Sequence, residues 1–220
     1  RMDEGRKIQW HPAFCCAVRL ELKESKKELS FENEHNLNSK PIQIDLLVIK
    51  KSEDVVINNE IGRLFKGHNV MEYKSPEDAL GVDEYYKSLA YACLYKFAGS
   101  FADAIQAEDI TISLVRSRKP ERLFQFFKEK KYEITNPYKG IYYVKKEGLF
   151  DTQVIVSKEL NYTEHIWIKS LQENLSQKEI RTLVSSIQEL KEVEDKRNAE
   201  AVMNVVLGVN KKGFGKVKEE

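Results

Sequence analysis

Apolar and polar residues alternate along residues 42–49, where Ile42, Ile44, Leu46 and Val48 are interleaved with Gln43, Asp45, Leu47 and Ile49. A period of two sends successive side chains to opposite faces of an extended chain, so a strand is predicted here. Asp45 lies inside it, where a carboxylate without a partner is costly. A second extended run, Asn69-Val-Met-Glu72-Tyr-Lys74, puts Val70, Glu72 and Lys74 on one face and Met71 and Tyr73 on the other. An acid and an amine two residues apart on one face act at a common point. Three charged groups on two neighbouring apolar strands call for an explanation, and a divalent-metal site supplies one.

Ahead of these strands, Pro12 suits a first helical turn, and Phe14, Ala17, Val18 and Leu22 recur at helical spacing. Glu21 falls on or beside that apolar stripe and points toward the body of the protein; Glu24, seven residues after Ala17, competes for the same role. Residues 29–37 read as a first strand and 36–40 as a turn into the Asp45 strand, with His35 near the strand end as a local hydrogen-bonding residue or a ligand. Residues 50–66 hold a short strand or a turn of helix. Asp83 is placed to cap a helix over 84–97, with Tyr86, Leu89, Ala90, Cys93, Leu94 and Phe97 as its buried stripe. Lys87 and Tyr91, one turn apart, lean from that helix toward the acidic site. Residues 109–115 alternate again as a strand, giving the order helix, strand, strand, strand, helix, strand.

Beyond this core the charge pattern changes. Between Arg116 and Lys146 ten Lys and Arg face three acids, with Phe124, Phe126, Phe127, Tyr132, Tyr138, Tyr142 and Tyr143 interleaved. Arg116, Arg118, Lys119 and Arg122 are therefore candidates for holding a phosphate backbone. An equally good reading makes Leu123, Phe124 and Phe127 the core face of a helix and the lysines its wet face. Residues 136–140 read as a turn between two strands, and 150–156 as one more strand. A helical tail follows, carrying Trp167, Ile168 and Leu171, then Ile180, Leu183, Val184, Ile187 and Leu190, then Ala201, Val202, Val205 and Val206. These helices either pack on the core or pair with a second copy of the chain in a homodimer; residues 211–220 are expected to fray. The expected division is a core over 1–118 and a basic, aromatic accessory segment with helical tail over 119–220.

Composition narrows the class only a little. With 41% hydrophobic and 32% charged residues, the chain has ordinary globular content and enough apolar material for a core. A net charge of +1 states no global preference for anionic partners. Cys15, Cys16 and Cys93 form no CxxC pair, and neither a signal peptide nor a membrane-spanning run is seen, so a reducing, cytoplasmic setting is expected.

Glu21 on a helix, Asp45 on a strand and Glu72-Tyr73-Lys74 on the next resemble the PD-(D/E)XK nuclease superfamily. More narrowly, Trp10-His-Pro-Ala-Phe14, Phe31-Glu-Asn-Glu-His-Asn-Leu37, Gln43-Ile-Asp45 and Glu72-Tyr-Lys-Ser-Pro76 resemble its transposase-like branch of recombination-promoting nucleases. The resemblance spans about residues 10–115, and it departs from the superfamily pattern where Ile44, not Pro, precedes Asp45. It implies an α/β, restriction-endonuclease-like core with a central mixed sheet flanked by helices and a C-terminal mixed and helical extension. It also implies a metal-dependent endonuclease acting on DNA, with a link to mobile elements or recombination, while the residues themselves leave RNA open as a substrate. Asp45, Glu72 and the backbone carbonyl of Tyr73 would hold Mg²⁺ or Mn²⁺, and Glu21 a metal-bound water or second ion. Lys74 would orient the attacking water or stabilise charge on the pentavalent phosphorus, with Gln43 assisting by hydrogen bonding. The competing expectation is a catalytically silent protein of the same fold, serving as a nucleic-acid-binding or oligomeric interaction module.

Overall fold

The computed structural model describes residues 8–36 and 42–211, so most of the turn expected at 36–40 and of the fraying expected at 211–220 falls outside the described residues. The protein is α/β. Its elements run α1 (Trp10–Glu21), β1 (Leu29–Asn36), β2 (Gln43–Lys50), β3 (His68–Tyr73), α2 (Val82–Phe97) and β4 (Ile110–Arg116), as the order of hydrophobic periods predicts. They continue with α3 (Glu121–Glu129), β5 (Glu133–Tyr138), β6 (Ile141–Lys145), β7 (Asp151–Val156), α4 (Ile166–Lys169), α5 (Gln177–Gln188) and α6 (Val193–Val209). A short 3₁₀ turn, Ile61–Leu64, occupies the stretch that sequence left between strand and helix.

All seven strands join one mixed sheet in the order β1-β2-β3-β4-β7-β6-β5. The β1–β2 and β2–β3 pairs are antiparallel, while β3–β4 and β4–β7 are parallel. β7 thus extends the sheet started by the N-terminal strands, and residues from both expected segments build one sheet. The β5–β6 hairpin caps the far side, with a register shift between Thr135 and Tyr138. Pro137, which has no N–H to give a ladder, sits in this irregular outer strand. Gly140 makes the hairpin turn at φ 78, where a Cβ would come within 2.9 Å of the Val156 carbonyl oxygen, so a side chain is excluded on two counts.

Each face of the sheet carries its own helix layer. Leu46, Val48, Met71, Tyr73, Val115 and Ile155 pack with α1, α4, α5 and α6. Val70, Ile112, Leu114 and Val154 pack with α2 and α3. The tail helices lie on the chain's own core, α6 running along α1 through Ala199, Val202, Val205 and Val206. Leu190 falls just past α5 but is still buried. No helix among the described residues is long and apolar enough to cross a membrane.

Two sequence expectations for α2 need correction. The residue before the helix is Gly81, whose N–H donates to the Glu84 carboxylate at 2.7 Å; Asp83 lies within the first turn, where its charge favours the helix dipole. The buried stripe is Tyr85, Ser88, Tyr91, Ala92 and Tyr95, whereas Tyr86 is 54% and Phe97 87% exposed. The inward tyrosines find partners for their hydroxyls: Tyr85 donates to Tyr132 at 3.3 Å, and Tyr95 pairs with His68 Nδ1 at 2.7 Å. For the basic segment, α3 buries Leu123, Phe124 and Phe127 and leaves its charged residues to solvent.

Candidate functional site

Leu46 faces Met71 in the β2–β3 ladder, so the next step of the same register sets Asp45 beside Glu72. There the ladder gives way to side-chain bonding. The Asp45 N–H donates to Glu72 Oε1 at 3.4 Å, and the Tyr73 N–H donates to Asp45 Oδ2 at 2.8 Å. The strand also changes face: Ile44 packs in the α2 layer, whereas Leu46 packs in the α1 layer. Glu34, across from Asp45 between the pairs Asn33–Leu46 and His35–Ile44, adopts φ 47. The expected single face for Ile44, Leu46 and Val48 is therefore broken at Asp45, and irregular strand geometry re-aims that side chain.

Glu72 is 9% exposed, and burial first, then the Asp45 charge, pushes its carboxyl up to about 8. The ammonium groups of Lys87 and Lys74 act in the opposite sense, holding it down. Lys74 follows β3 directly, its N–H still donating to the Val115 carbonyl at 2.9 Å. On α2, Lys87 lies 5.2 Å from the centre of the Tyr91 ring, and contact with Tyr91 together with the fields of Glu72 and Asp45 raises its pKa. The structure thus brings together Asp45, Glu72, Tyr73 and Lys74, with Lys87 and Tyr91 on the flank. Gln43 is half-buried at the start of the same strand.

From the other side, α1 contributes two residues that sequence reasoning passed over. His11 Nε2 stands 3.8 Å from Asp45 Oδ2 and edge-on to the Tyr73 ring, which stacks on Phe14 at 4.6 Å. One turn on, the Cys15 thiol donates to the Asp45 carbonyl at 3.6 Å, and burial pushes its pKa up to about 12, so it is no nucleophile. The i, i+4 spacing of His11 and Cys15 was the available signal.

Glu21 does not join these groups. Ten residues past His11, it is about 15 Å further along the helix at 1.5 Å per residue. Its side chain is wholly enclosed and accepts from Asn59 Nδ2 at 3.2 Å, the Ile168 N–H at 3.2 Å and His165 Nδ1 at 3.1 Å. His165, 1% exposed, meets Glu60 Oε2 through Nε2 at 2.8 Å. Ligand-type atoms of Glu60, Glu164 and His165 all lie within 4.8 Å of one another. No period or motif announces this second cluster, since Glu60 comes from a loop and Glu164 and His165 from the turn leading into α4. Glu24 is exposed and bonds Lys23, which lowers its pKa. His35 is held locally by Glu32.

The basic candidates gather where β4 ends, on the same end of the sheet as Lys74. Arg116 Nε donates to the Asp78 carbonyl at 3.0 Å, and Lys119 lies 4.8 Å from the ring centres of both Phe124 and Tyr142. Arg118 and Arg122 are exposed. No family model matches the chain, and no curated protein or solved structure does.

Proposed function

We propose that the protein is a metal-dependent endonuclease that hydrolyses phosphodiester bonds of DNA, in keeping with its resemblance to the PD-(D/E)XK superfamily and with the α-β-β-β-α-β order of its first six helices and strands, which a restriction-endonuclease-like core would have. The observation that carries this reading is the abutment of Asp45 on the buried Glu72, with Lys74 and Lys87 beside them. Two carboxylates forced together, one driven toward neutrality, make a site that a hard divalent cation completes. Asp45 and Glu72 fit Mg²⁺ or Mn²⁺ as oxygen ligands, and the resemblance adds the Tyr73 carbonyl as a third. Held there, such an ion would supply Lewis-acid chemistry, polarising a phosphate oxygen and lowering the pKa of a bound water.

The chain's own residues do the rest. The Tyr73 N–H fixes the Asp45 carboxylate through Oδ2. Lys74 orients the attacking water and offsets the negative charge that grows on the phosphate oxygens as the new P–O bond forms and the P–O bond to the leaving sugar oxygen breaks. Lys87, held by Tyr91, supports the ionised form of Glu72. Arg116, Arg118, Lys119 and Arg122 hold the flanking backbone, which makes binding salt-sensitive.

The test is cleavage of plasmid and single-stranded DNA with Mg²⁺, Mn²⁺ or EDTA, comparing wild type with Asp45→Ala and Lys74→Ala. Metal-dependent nicking that falls at least about a hundredfold in both variants is expected. Absence of cleavage on every substrate, with equal DNA binding by all three proteins, would overturn the catalytic reading in favour of a silent binding module.

A further inference from the structure

We propose that His165, Glu60 and Glu164 form a second cation site, suited to a borderline transition ion of the Zn²⁺ or Co²⁺ kind and independent of Asp45 and Glu72. The imidazole is the decisive group. It is 1% exposed, and its Nδ1 is committed to Glu21, whose fully enclosed carboxylate is itself held by Asn59 and the Ile168 N–H. That inner layer fixes the ring plane and turns Nε2 outward onto Glu60. A buried carboxylate on one imidazole nitrogen, with the other nitrogen free for a metal, is how histidine ligands are commonly oriented.

Outward of Nε2 the two remaining ligands become progressively more exposed. Glu60 is half-buried at 2.8 Å, and Glu164 is exposed, with all three ligand atoms within 4.8 Å. The cluster therefore has a rigid floor and an open mouth through which an ion can enter. Its charge is also unbalanced. Among the described residues, His165 is the only cationic partner within ion-pair distance of Glu21 and Glu60. Three carboxylates thus converge on one imidazole. A divalent ion in place of the proton between Nε2 and Glu60 corrects that excess and releases the proton to solvent. One imidazole with two carboxylates suits Zn²⁺ or Co²⁺ and is poor for Mg²⁺, which prefers oxygen ligands throughout. Three protein ligands leave a coordination position for water. Occupied, the site ties the loop before the Ile61–Leu64 turn to the segment leading into α4, and both to the end of α1.

The experiment is titration of the full chain with Co²⁺, following the visible absorption of the bound ion, on wild type, Glu164→Gln, Glu60→Gln/Glu164→Gln and Asp45→Asn. One band-bearing Co²⁺ per chain is expected in wild type and Asp45→Asn alike, displaced by Zn²⁺ and indifferent to millimolar Mg²⁺, with any second, oxygen-ligated Co²⁺ in wild type absorbing only faintly and lost in Asp45→Asn. Glu164→Gln, altering only an exposed side chain, should weaken binding at least tenfold, and the double variant should lose the band. A wild type without the band, a band unchanged in Glu164→Gln, or a band lost in Asp45→Asn would each overturn the proposal. Should the double variant unfold, Glu164→Gln alone decides. Because Asp45→Asn disables only the nuclease site, failure of one reading leaves the other standing.

Discussion

Replacing Glu72 by Gln should make the metal-free protein more stable while removing its metal-dependent activity. Glu72 is 9% exposed, and its carboxyl is driven from 4.5 to about 8 by burial and by Asp45. At about 1.36 kcal/mol per pKa unit, the full displacement bounds the penalty above pH 8 at about 5 kcal/mol. Structural relaxation and water entry reduce such penalties, so about 1–2 kcal/mol is the expected gain, or about 2–8 °C in Tm for a chain of this size. Gln keeps an oxygen for the Asp45 N–H and offers its amide to the Asp45 carboxylate in place of a second negative charge. Because the folded pKa lies above the unfolded one, the native wild type holds the extra proton between about pH 4.5 and 8, and its stability falls as pH rises through that window. Gln has nothing to titrate there. The gap between variant and wild type should therefore open from about pH 4.5, widen to about pH 8 and then level off. Melting curves in EDTA at several pH values give this directly. Added Mg²⁺ should raise the wild type and leave the variant nearly unmoved. A variant no more stable than wild type at pH 8 in EDTA, or a gap independent of pH, would refute the electrostatic account of the site.

Three shorter predictions concern the frame. Gly140→Ala puts a Cβ 2.7 Å from the Leu160 nitrogen at φ 78, and should cost about 1–3 kcal/mol in urea unfolding; a loss under about 0.5 kcal/mol would show that the turn relaxes freely. His68 has its pKa lowered by burial beside the Tyr95 hydroxyl. The unfolded chain then takes up more protons as pH falls below 6.5, so stability is full above that value and declines on acidification. His68→Gln should flatten the dependence of the urea midpoint on pH between about 7.5 and 5.5, and an unchanged slope would assign it elsewhere. Glu21→Gln, in contrast to Asp45→Ala, should leave DNA cleavage within about threefold of wild type, since Glu21 faces His165 and not Asp45; a loss as deep as that of Asp45→Ala would count against this placement.

Much of the frame was legible because period and punctuation agreed. The alternation over residues 42–49 and the run around Val70 and Met71 marked neighbouring strands, whereas the capping box of Ser176 and Glu179 that starts α5 lay in the sequence unread. What failed was facing. In α2 the apolar ranking chose Tyr86 and Phe97, but tertiary partners for the hydroxyls of Tyr85 and Tyr95 turned the helix by about a residue. A hydrophobic stripe reports apolar surface, and a tyrosine that can satisfy its hydroxyl inside competes with any phenylalanine for the same place.

Glu21 shows a second limit of the same kind. Helical spacing identified its inward face, and the side chain is indeed enclosed, but spacing says nothing about which end of the helix meets which strand. α1 crosses the sheet so that His11 and Cys15, at its beginning, reach Asp45, while Glu21, at its end, reaches α4. A carboxylate and an imidazole from residues 144 apart in sequence then enclose each other, a pairing no local pattern encodes. The Asp45–Glu72 pair was readable for the opposite reason: the two residues sit on strands that must be neighbours, and antiparallel register converts sequence distance into contact. The break in strand facing at Asp45, opposite Glu34 at φ 47, is where both carboxylates take over from ladder carbonyls as acceptors of the Asp45 and Tyr73 N–H groups. Regular β-structure brings the two acids together, and the local departure from it lets them act as side chains at one point.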